Sequence, residues 1–483
     1  MVKFDGLWLD MNEASDFCGG LCYQDEKPAG LLQKNKLKYT PTGRDLEEQS
    51  MPLDTLHHGG IYETDVHNLF GIMEVSRTHE WFQQQEKRTF IISRSSAFGS
   101  GKYGSKWLGD QSSEVSYMGQ SVIGSYAMGL MGMPLVGSDI CGFMGNTNAE
   151  LCARWYTVAA FQTFSRNHNG WDSIAQEPYL WKHDYYESGI TYTNIIKSAM
   201  RTKYCLLKYM YTEMFLLSQQ GGSPFYKPVF FEFPDDINAY ADQTNNVMLG
   251  RALKLSVLSN ALGQNTTDYY FPEGTWCDVF RPIRKCFTTT GHSKTLSSKA
   301  YDFHLHLRNG YIVPLQDAFT ADANTTVDMQ NQPVSFMINP QETKWSPASW
   351  TAKGVYINDN GEDFNVTGKY NQYTLTASQQ KNAISSVMSI TLQVATVPSA
   401  RDLNATSGCS AINKSDYLGE VVISNAAARS SDGRYAVIVF FNNGTEYDTI
   451  LEAKYDSTFD QLSVDFKGML CLGAISFIEL SKF

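Results

Sequence analysis

The 483-residue sequence contains no uninterrupted apolar run of 18 or more residues, the length that a transmembrane helix requires. It also has no run rich in Lys and Arg, and its net charge is −11. Because a nucleic-acid groove needs clustered positive charge, this composition argues against nucleic acid as a partner. The sequence has no Cys-x2-Cys pair that is accompanied by a second such pair or by suitably spaced histidines, which argues against a zinc site.

The cysteines and the glycosylation sequons favour a protein of the secretory route. The chain has nine cysteines, yet its first residues lack the apolar core and cleavage site of a signal peptide and read as a strand. Six Asn-x-Ser/Thr sequons all fall in the second half, at Asn265, Asn324, Asn365, Asn404, Asn413 and Asn443. Sequence alone leaves the cysteine pairing open, and the locally pairable sets are Cys18 with Cys22, Cys141 with Cys152, Cys277 with Cys286, and the distant Cys409 with Cys471. Cys205 reads as a buried free thiol.

The first part of the chain, residues 1–237, alternates short apolar runs with helical patterns. The strand-like runs are 4–10, 89–93, 134–140 and 161–164, and helical spacing occurs over 115–131, 150–160 and 194–217. This alternation predicts a parallel sheet with crossover helices and hence an α/β architecture. After residue 237, short alternating runs between turn residues predict two all-β sandwiches, over 238–318 and 319–483.

Ionisable residues stand at the ends of the predicted parallel strands. Asp10, Asp139 and Arg166 each end or follow an apolar run, and Arg94 comes directly after another. The carboxyl ends of parallel strands are where a β/α barrel builds its active site. We therefore expect these side chains to share one site.

Two aspartates in similar contexts are the candidate catalytic residues. Asp10 and Asp110 each follow an aromatic and an aliphatic residue, and Glu13 shares the surroundings of Asp10 as a third candidate. Taken singly, Asp10 could cap a helix and Asp110 could belong to a Gly-Asp turn. Taken together, two carboxyl groups on different strand-loop units are what glycoside hydrolysis uses, one ionised and one protonated.

Further side chains suit the recognition of a sugar. Arg166 and His168 supply donors, while Arg94 and Asp139 hold matching positions at strand ends. Flat aromatic faces suited to stacking on sugar rings are those of Trp8, Trp107, Phe143, Trp155 and Trp171. Trp155 lies inside a helical pattern, which favours core packing for that residue.

The segment 5–15 resembles the nucleophile signature of glycoside hydrolase family 31, the α-glucosidases. The resemblance continues in family order through 67–71, 93–95, 101–104, 107–110, 137–143, 151–155, 164–169, 176–178 and 307–314. It implies the later part of a (β/α)8 TIM barrel, from about the fourth strand onward, followed by two β-sandwiches, because the chain begins at what would be that strand. Gln111 stands where the family usually has Asn.

The resemblance implies a retaining exo-α-glucosidase acting on terminal α-1,4-linked glucose of maltose-like oligosaccharides or glycogen. Asp10 would be the nucleophile and Asp110 the acid/base, and no cofactor or metal would be needed. The glucose pocket would be lined by Trp8, Met11, Arg94, Trp107, Asp139, Phe143, Arg166 and His168. Cys141 and Cys152 would form a disulfide, and a lysosomal, vacuolar or secreted location is expected. The alternatives are an inactive carbohydrate-binding remnant and an enzyme of the glucosidase II or glucan-lyase branch.

Overall fold

The computed structural model describes most of the chain and all of the strand ends that concern the site. The described residues are 4–15, 46–85, 88, 90–222, 224–280, 285–320, 323–343, 346–361, 370–381, 388–397, 417–424, 435–441, 446–449, 454–456, 461–471 and 475–482. None of the helices in this described part combines the length and the apolar character needed to cross a membrane.

The first half alternates strands and helices. In chain order these are β1 (Gly6–Leu9), β2 (Leu56–His57), β3 (Ile61–Tyr62), α1 (Glu63–Val66), α2 (Phe70–Gln83), β4 (Phe90–Ser93), β5 (Ser105–Trp107), α3 (Val115–Leu130), β6 (Val136–Gly137), β7 (Asp139–Ile140), α4 (Ala149–Ala159), β8 (Arg166–Asn167), β9 (Tyr185–Glu187), β10 (Ile190–Thr191) and α5 (Tyr192–Gln219). Short 3₁₀ helices add Ser100–Lys102, Pro178–His183, Val229–Phe231 and Ile237–Tyr240.

The strands of this half are parallel where they carry candidate site residues. Strands β1, β4, β5 and β6 form one sheet in that order, and β7 pairs with β8. Among the described residues these are separate four-stranded and two-stranded sheets, with no closed barrel. Helices α4 and α5 begin at side-chain caps, since Asn148 accepts from the Leu151 N–H at 3.0 Å and Thr191 from the Asn194 N–H at 3.2 Å.

Two of the sequence-based strand predictions need correction. The run 134–140 is not one strand, because β6 and β7 lie on either side of Ser138 and belong to different sheets. The run 161–164 is not a strand, and β8 begins only at Arg166. In that run the Thr163 hydroxyl accepts the Val136 N–H at 2.8 Å and donates to the Pro134 carbonyl at 2.7 Å, so a side chain replaces ladder bonds.

The second half is almost entirely β. Its elements are β11 (Tyr226–Pro228), β12 (Asn246–Leu249), β13 (Leu253–Ser256), β14 (Thr266–Phe271), β15 (Gly274–Asp278), β16 (Cys286–Thr289), β17 (His292–Ser297), β18 (His304–Arg308), β19 (Tyr311–Leu315), α6 (Thr326–Gln330), β20 (Val334–Asn339), β21 (Gln341–Thr343), β22 (Ser346–Asn358), β23 (Asn371–Lys381), β24 (Met388–Val397), β25 (Tyr417–Ser424), β26 (Tyr435–Phe441), β27 (Glu446–Thr449), β28 (Lys454–Asp456), β29 (Gln461–Cys471) and β30 (Ile475–Lys482).

These strands form two main sheets. The first has the order β11-β12-β13-β18-β15-β16 and packs with the two-stranded antiparallel sheet β14-β17 around Met248, Phe271 and Trp276. The second has the order β27-β26-β30-β24-β23-β22-β19-β20-β25-β29-β28, with β21 paired to β22. The predicted fold class, an α/β part followed by all-β parts, is confirmed.

Candidate active site

Asp10 stands where β1 ends and the chain turns sharply. Its carboxylate accepts the N–H of Met11 at 2.8 Å, and Met11 has a φ of +52°. A left-handed conformation costs energy for a residue other than glycine, and such strain is common at functional sites. No helix follows Asp10 in the described segment 11–15, so the helix-cap interpretation does not apply.

Asn12 fixes this turn against the end of β4. Its side chain, 3% exposed, donates to the Ser93 hydroxyl at 2.8 Å and accepts the Ser95 N–H at 2.8 Å. The Arg94 N–H donates to the Leu9 carbonyl at 3.0 Å. These bonds hold Arg94 beside Asp10, and sequence analysis did not single out Asn12 for this task although it lies within the signature segment.

Arg94 brings the three candidate carboxylates together. Its guanidinium donates two hydrogen bonds to Glu13, both at 2.7 Å. The same group lies 3.5 Å from Asp10 Oδ1 and 3.8 Å from Asp110 Oδ2. Hydrogen bonding to Glu13, followed by the charges of Glu13, Asp10 and Asp110, raises the pKa of Arg94 despite its partial burial. The site therefore holds a permanent cation between carboxylates from two strand ends.

Lys106 supports Arg94 from β5 and was missed in the sequence. Its ammonium donates to the Arg94 carbonyl, and burial lowers the pKa of Lys106 to about 8. The signal that could have found it is its place next to Trp107, one residue before a predicted site residue on a strand end.

Asp110 is presented by a glycine turn after β5. Gly109 has a φ of +85°, which favours glycine, and the Asp110 side chain is 37% exposed. The Gln111 carbonyl then accepts the N–H groups of Phe143 at 2.6 Å and Met144 at 3.0 Å. Asp110 therefore belongs to a Gly-Asp turn and is also the candidate catalytic residue, so the two interpretations of this residue do not exclude each other.

A cluster of two tryptophans, an arginine and a buried aspartate lies beside these carboxylates. The Arg166 guanidinium lies 4.0 Å from the ring centre of Trp8 and 5.1 Å from that of Trp107. Asp139 Oδ1 accepts the Trp107 indole N–H at 2.8 Å and an Arg166 N–H at 3.0 Å. Burial raises the pKa of Asp139 to about 6, although both hydrogen bonds act in the opposite direction.

Phe143 and His168 stack at the edge of the site, with ring centres 4.8 Å apart. Burial, followed by the charge of Arg166, lowers the pKa of His168, while the charges of Asp110 and Asp10 oppose that shift. His168 is therefore held toward its neutral form, in which one ring nitrogen accepts a hydrogen bond.

The predicted lining residue Met11 and the stacking candidate Trp171 are more exposed than the other candidates. Met11 directs its side chain to solvent, 62% exposed, and Trp171 is 97% exposed. Trp155 is fully buried and donates to the Ser138 hydroxyl at 3.0 Å, as expected for a core residue.

Two cysteine pairs are disulfide-bonded, Cys141 with Cys152 and Cys277 with Cys286. Cys205 is a buried free thiol, and burial raises its pKa to about 12.

Two of the predicted glycosylation residues, Asn265 and Asn324, are exposed. Outside the described residues lie the remaining sequons and three further cysteine candidates, at Asn365, Asn404, Asn413, Asn443, Cys18, Cys22 and Cys409. Cys471 ends β29, and its proposed partner Cys409 is among those outside. The described part of the chain holds no cluster of three or more His, Cys, Asp or Glu side chains suited to a metal ion.

Paired carboxylates at the ends of parallel strands, beside stacked aromatic and Arg side chains, are typical of glycoside hydrolases. The chain belongs to glycosyl hydrolase family 31. The family's TIM-barrel domain matches residues 1–213, and its C-terminal domain matches residues 222–313.

Curated relatives include several α-glucosidases. The lysosomal alpha-glucosidase of Bos taurus is 33% identical over 387 residues, which cover 77% of this chain and 39% of that protein. The alpha-glucosidase of Hordeum vulgare is 35% identical over 320 residues, covering 66% of this chain and 34% of the relative. The chain thus spans well under half the length of these relatives.

Solved structures share the fold over nearly the whole chain. The Tris-bound glucosidase II alpha subunit has a TM-score of 0.76 at 22% identity, covering 99% of this chain and 46% of that one. The alpha-1,4-glucan lyase of Gracilariopsis lemaneiformis has a TM-score of 0.73 at 16% identity, covering 99% and 48%.

Proposed function

We propose that this protein is a retaining exo-α-glucosidase that removes terminal α-1,4-linked glucose from maltose-like oligosaccharides or glycogen. The observation that carries the proposal is the convergence of Asp10 and Asp110 on Arg94, at 3.5 and 3.8 Å. Curated α-glucosidases among the relatives support the α-glucoside as substrate class.

In the proposed mechanism Asp10 attacks the anomeric carbon of the terminal glucose. Asp110 donates its proton to the glycosidic oxygen, so the C–O bond breaks and the shortened glucan leaves as an alcohol. The resulting β-glucosyl ester on Asp10 is attacked by water, which Asp110 now deprotonates as a general base. Two inversions give net retention, and glucose leaves as the α-anomer.

The neighbouring side chains support these roles. The Arg94 guanidinium lies 3.5 Å from Asp10 Oδ1 and donates two hydrogen bonds to Glu13, so it fixes the positions of these carboxylates. The Arg166 group stacked on Trp8, held by Asp139, supplies a rigid wall with donors for sugar hydroxyls. Met11, Trp107, Phe143 and His168 complete the proposed glucose pocket.

The test compares carboxylate variants of the purified protein on maltose and on α-glucosyl fluoride. We expect Asp10→Gly to lose at least about 10³-fold in kcat on both substrates, with azide restoring turnover as β-glucosyl azide. Asp110→Ala should lose a similar factor on maltose and much less on the fluoride, whose leaving group needs no proton. The control is Asp65→Asn, an exposed aspartate of α1, which should behave as wild type.

Normal maltose hydrolysis by Asp10→Gly would overturn the assignment. Binding of maltose by the wild-type protein without turnover would indicate a carbohydrate-binding protein instead. Release of an eliminated, unsaturated sugar in place of glucose would indicate the lyase branch, and nuclear magnetic resonance of the first product distinguishes these results.

We also propose that the chain has three domains: the partial barrel 1–237, a proximal β-sandwich 238–318 and a distal β-sandwich 319–483.

We further propose that the protein is lysosomal, vacuolar or secreted. The two disulfides and the similarity to lysosomal relatives support the compartment. If the exposed Asn265 and Asn324 carry glycans, peptide N-glycosidase treatment of the native protein will lower its mass, and an unchanged mass would argue against use of the sequons.

A further inference from the structure

Trp171 lies on a short loop that leaves the candidate active site. The loop, residues 168–176, follows β8 and is called the Trp171 loop here. The Trp171 side chain is 97% exposed, the largest apolar surface that this loop can offer. A single exposed apolar residue is ordinary on a protein surface, and what distinguishes Trp171 is the way its loop is held in place.

The Trp171 loop is fastened at several points by hydrogen bonds. The Gly170 N–H donates to the Phe143 carbonyl at 2.9 Å, and the Asn169 amide donates to the Ile174 carbonyl at 3.0 Å. Gln176, 1% exposed, donates to the His168 carbonyl at 2.7 Å and to the Gly142 carbonyl at 3.0 Å. The indole therefore projects into water from a loop whose backbone is fixed, which lowers the entropy cost of binding a ligand there.

The loop stands on the acid/base side of the site. The Gln111 carbonyl, next to Asp110, accepts the N–H groups of Phe143 and Met144 at 2.6 and 3.0 Å. Phe143 in turn accepts the Gly170 N–H, so a continuous chain of backbone bonds joins the Asp110 turn to the Trp171 loop. A general acid protonates the glycosidic oxygen, so the leaving portion of the substrate must lie on its side of the pocket.

We propose that Trp171 is a stacking platform for the leaving portion of an unbranched α-glucan, beyond the glucose that is removed. This inference rests on the proposed function and adds a preference for chain length to it. The C–H face of a glucose ring is flat and apolar, and tryptophan presents the largest matching face of any side chain. Met144 and Ile174, 46% and 43% exposed, are further exposed apolar side chains in the two segments that the Gly170–Phe143 backbone bond joins.

The experiment measures the ratio of kcat/KM for maltoheptaose to kcat/KM for p-nitrophenyl α-glucoside, which has no sugar in its leaving group. We expect Trp171→Ala to lower this ratio about three- to tenfold, because one aromatic stacking contact is lost. Trp171→Phe keeps a ring and should retain most of the ratio. The control is Ile237→Ala, which removes a 79% exposed apolar side chain from the 3₁₀ helix Ile237–Tyr240.

An unchanged ratio in Trp171→Ala, or an equal fall in Ile237→Ala, would overturn the platform. If the wild-type protein hydrolyses no α-glucoside, the proposed function fails, and calorimetric titration with maltoheptaose tests the platform separately. Weaker binding by Trp171→Ala than by wild type, by the same factor, supports it. Equal binding by the two, or no binding by wild type, contradicts it.

Discussion

Arg94 shows how a single residue organises the site. Its guanidinium donates two hydrogen bonds of 2.7 Å to Glu13. The carboxylates of Asp10 and Asp110 lie farther from the same guanidinium, at 3.5 and 3.8 Å. A planar guanidinium can face several carboxylates in fixed directions, whereas an ammonium acts as a single point of charge. The geometry of the site therefore depends on the shape of the Arg94 side chain as well as on its charge.

Replacing Arg94 by Lys tests that dependence. We expect Arg94→Lys to lower kcat/KM on maltose about 100-fold, because the charge remains but the two-point contact with Glu13 is lost. Steady-state kinetics measure the effect. The control is Arg77→Lys, whose partner Glu80 forms a surface pair at 2.7 Å, and it should change nothing measurable. Equal activity of the two variants would contradict a shape requirement.

Asp139 gives the stability of the protein a pH dependence. Its side chain is fully buried, and burial raises its pKa from 3.8 to about 6, so the folded state favours the protonated acid. The stability that this group contributes is present below its unfolded-state pKa and is lost as pH rises through 6. Between pH 4.5 and 7.5 the loss is about 2 kcal/mol.

We therefore expect Asp139→Asn to become more stable relative to wild type as pH rises over that interval. The amide oxygen can still accept from Trp107, so the variant keeps one of the contacts and carries no ionisable group. Urea unfolding at the two pH values measures the difference. A constant difference between variant and wild type would show that Asp139 does not titrate in this range.

At the scale of elements, the segment after β7 ties the site together. The turn 141–145 begins at a disulfide-bonded cysteine and continues through Gly142 to Phe143, whose backbone contacts both the Asp110 turn and the Trp171 loop. Gly142 has a φ of +88°, and a Cβ there would lie 2.4 Å from Ser113 Cα. Only glycine fits this close approach.

Gly142→Ala should lower the free energy of unfolding by more than Gly145→Ala does. Both glycines have left-handed φ values, +88° and +79°, but a Cβ at Gly145 would meet nothing within 4 Å. The control therefore carries only the backbone cost of about 1 kcal/mol, whereas Gly142→Ala adds a backbone clash that must displace Ser113. Thermal unfolding of both variants measures the gap. Similar losses would mean that the turn adjusts freely.

Elements with long periodic patterns were predicted well, and short ones were not. Helix α3 begins at Val115 and ends at Leu130, within one residue of the pattern. Strands β6 and β7 have two residues each, and their separation depends on a change of sheet at Ser138 that hydrophobicity does not record. Strand β5 ends in the buried Trp107, but its three residues are too few for a periodic signal.

At the scale of the whole molecule, charged contacts join the α/β half to the second half. Arg88 donates to Asp359 at 2.8 Å, and Tyr211 of α5 donates to the same carboxylate. Arg154 of α4 donates to the Ser298 carbonyl at 2.8 Å. The halves also share one hydrophobic core, which includes Leu206 and Leu307. Cooperative unfolding of the two halves is the expected consequence.

Asp359→Asn tests this connection. The Asp359 side chain is 3% exposed, and the variant replaces the buried carboxylate that accepts from Arg88 by a neutral amide, so we expect a loss of about 2 kcal/mol in unfolding free energy. The control is Glu80→Gln in the exposed Arg77 pair, which should cost less than about 0.5 kcal/mol. Urea unfolding followed by fluorescence and by circular dichroism measures both. Equal losses of unfolding free energy in the two variants would show that the buried Arg88–Asp359 contact stabilises the protein no more than the exposed Arg77–Glu80 pair.

The sequence by itself determined the class of fold, the family and the candidate carboxylates, because hydrophobic periodicity and local motifs are properties of neighbouring residues. It placed Asp10, Arg94, Asp139 and Arg166 at the ends of predicted strands and Asp110 in a Gly-Asp turn. Only the tertiary structure decided which of them meet, since parallel strands bring distant segments to one edge. The contacts of Arg94 with Glu13, of Lys106 with Arg94 and of Phe143 with the Trp171 loop follow from packing between segments that no local pattern connects.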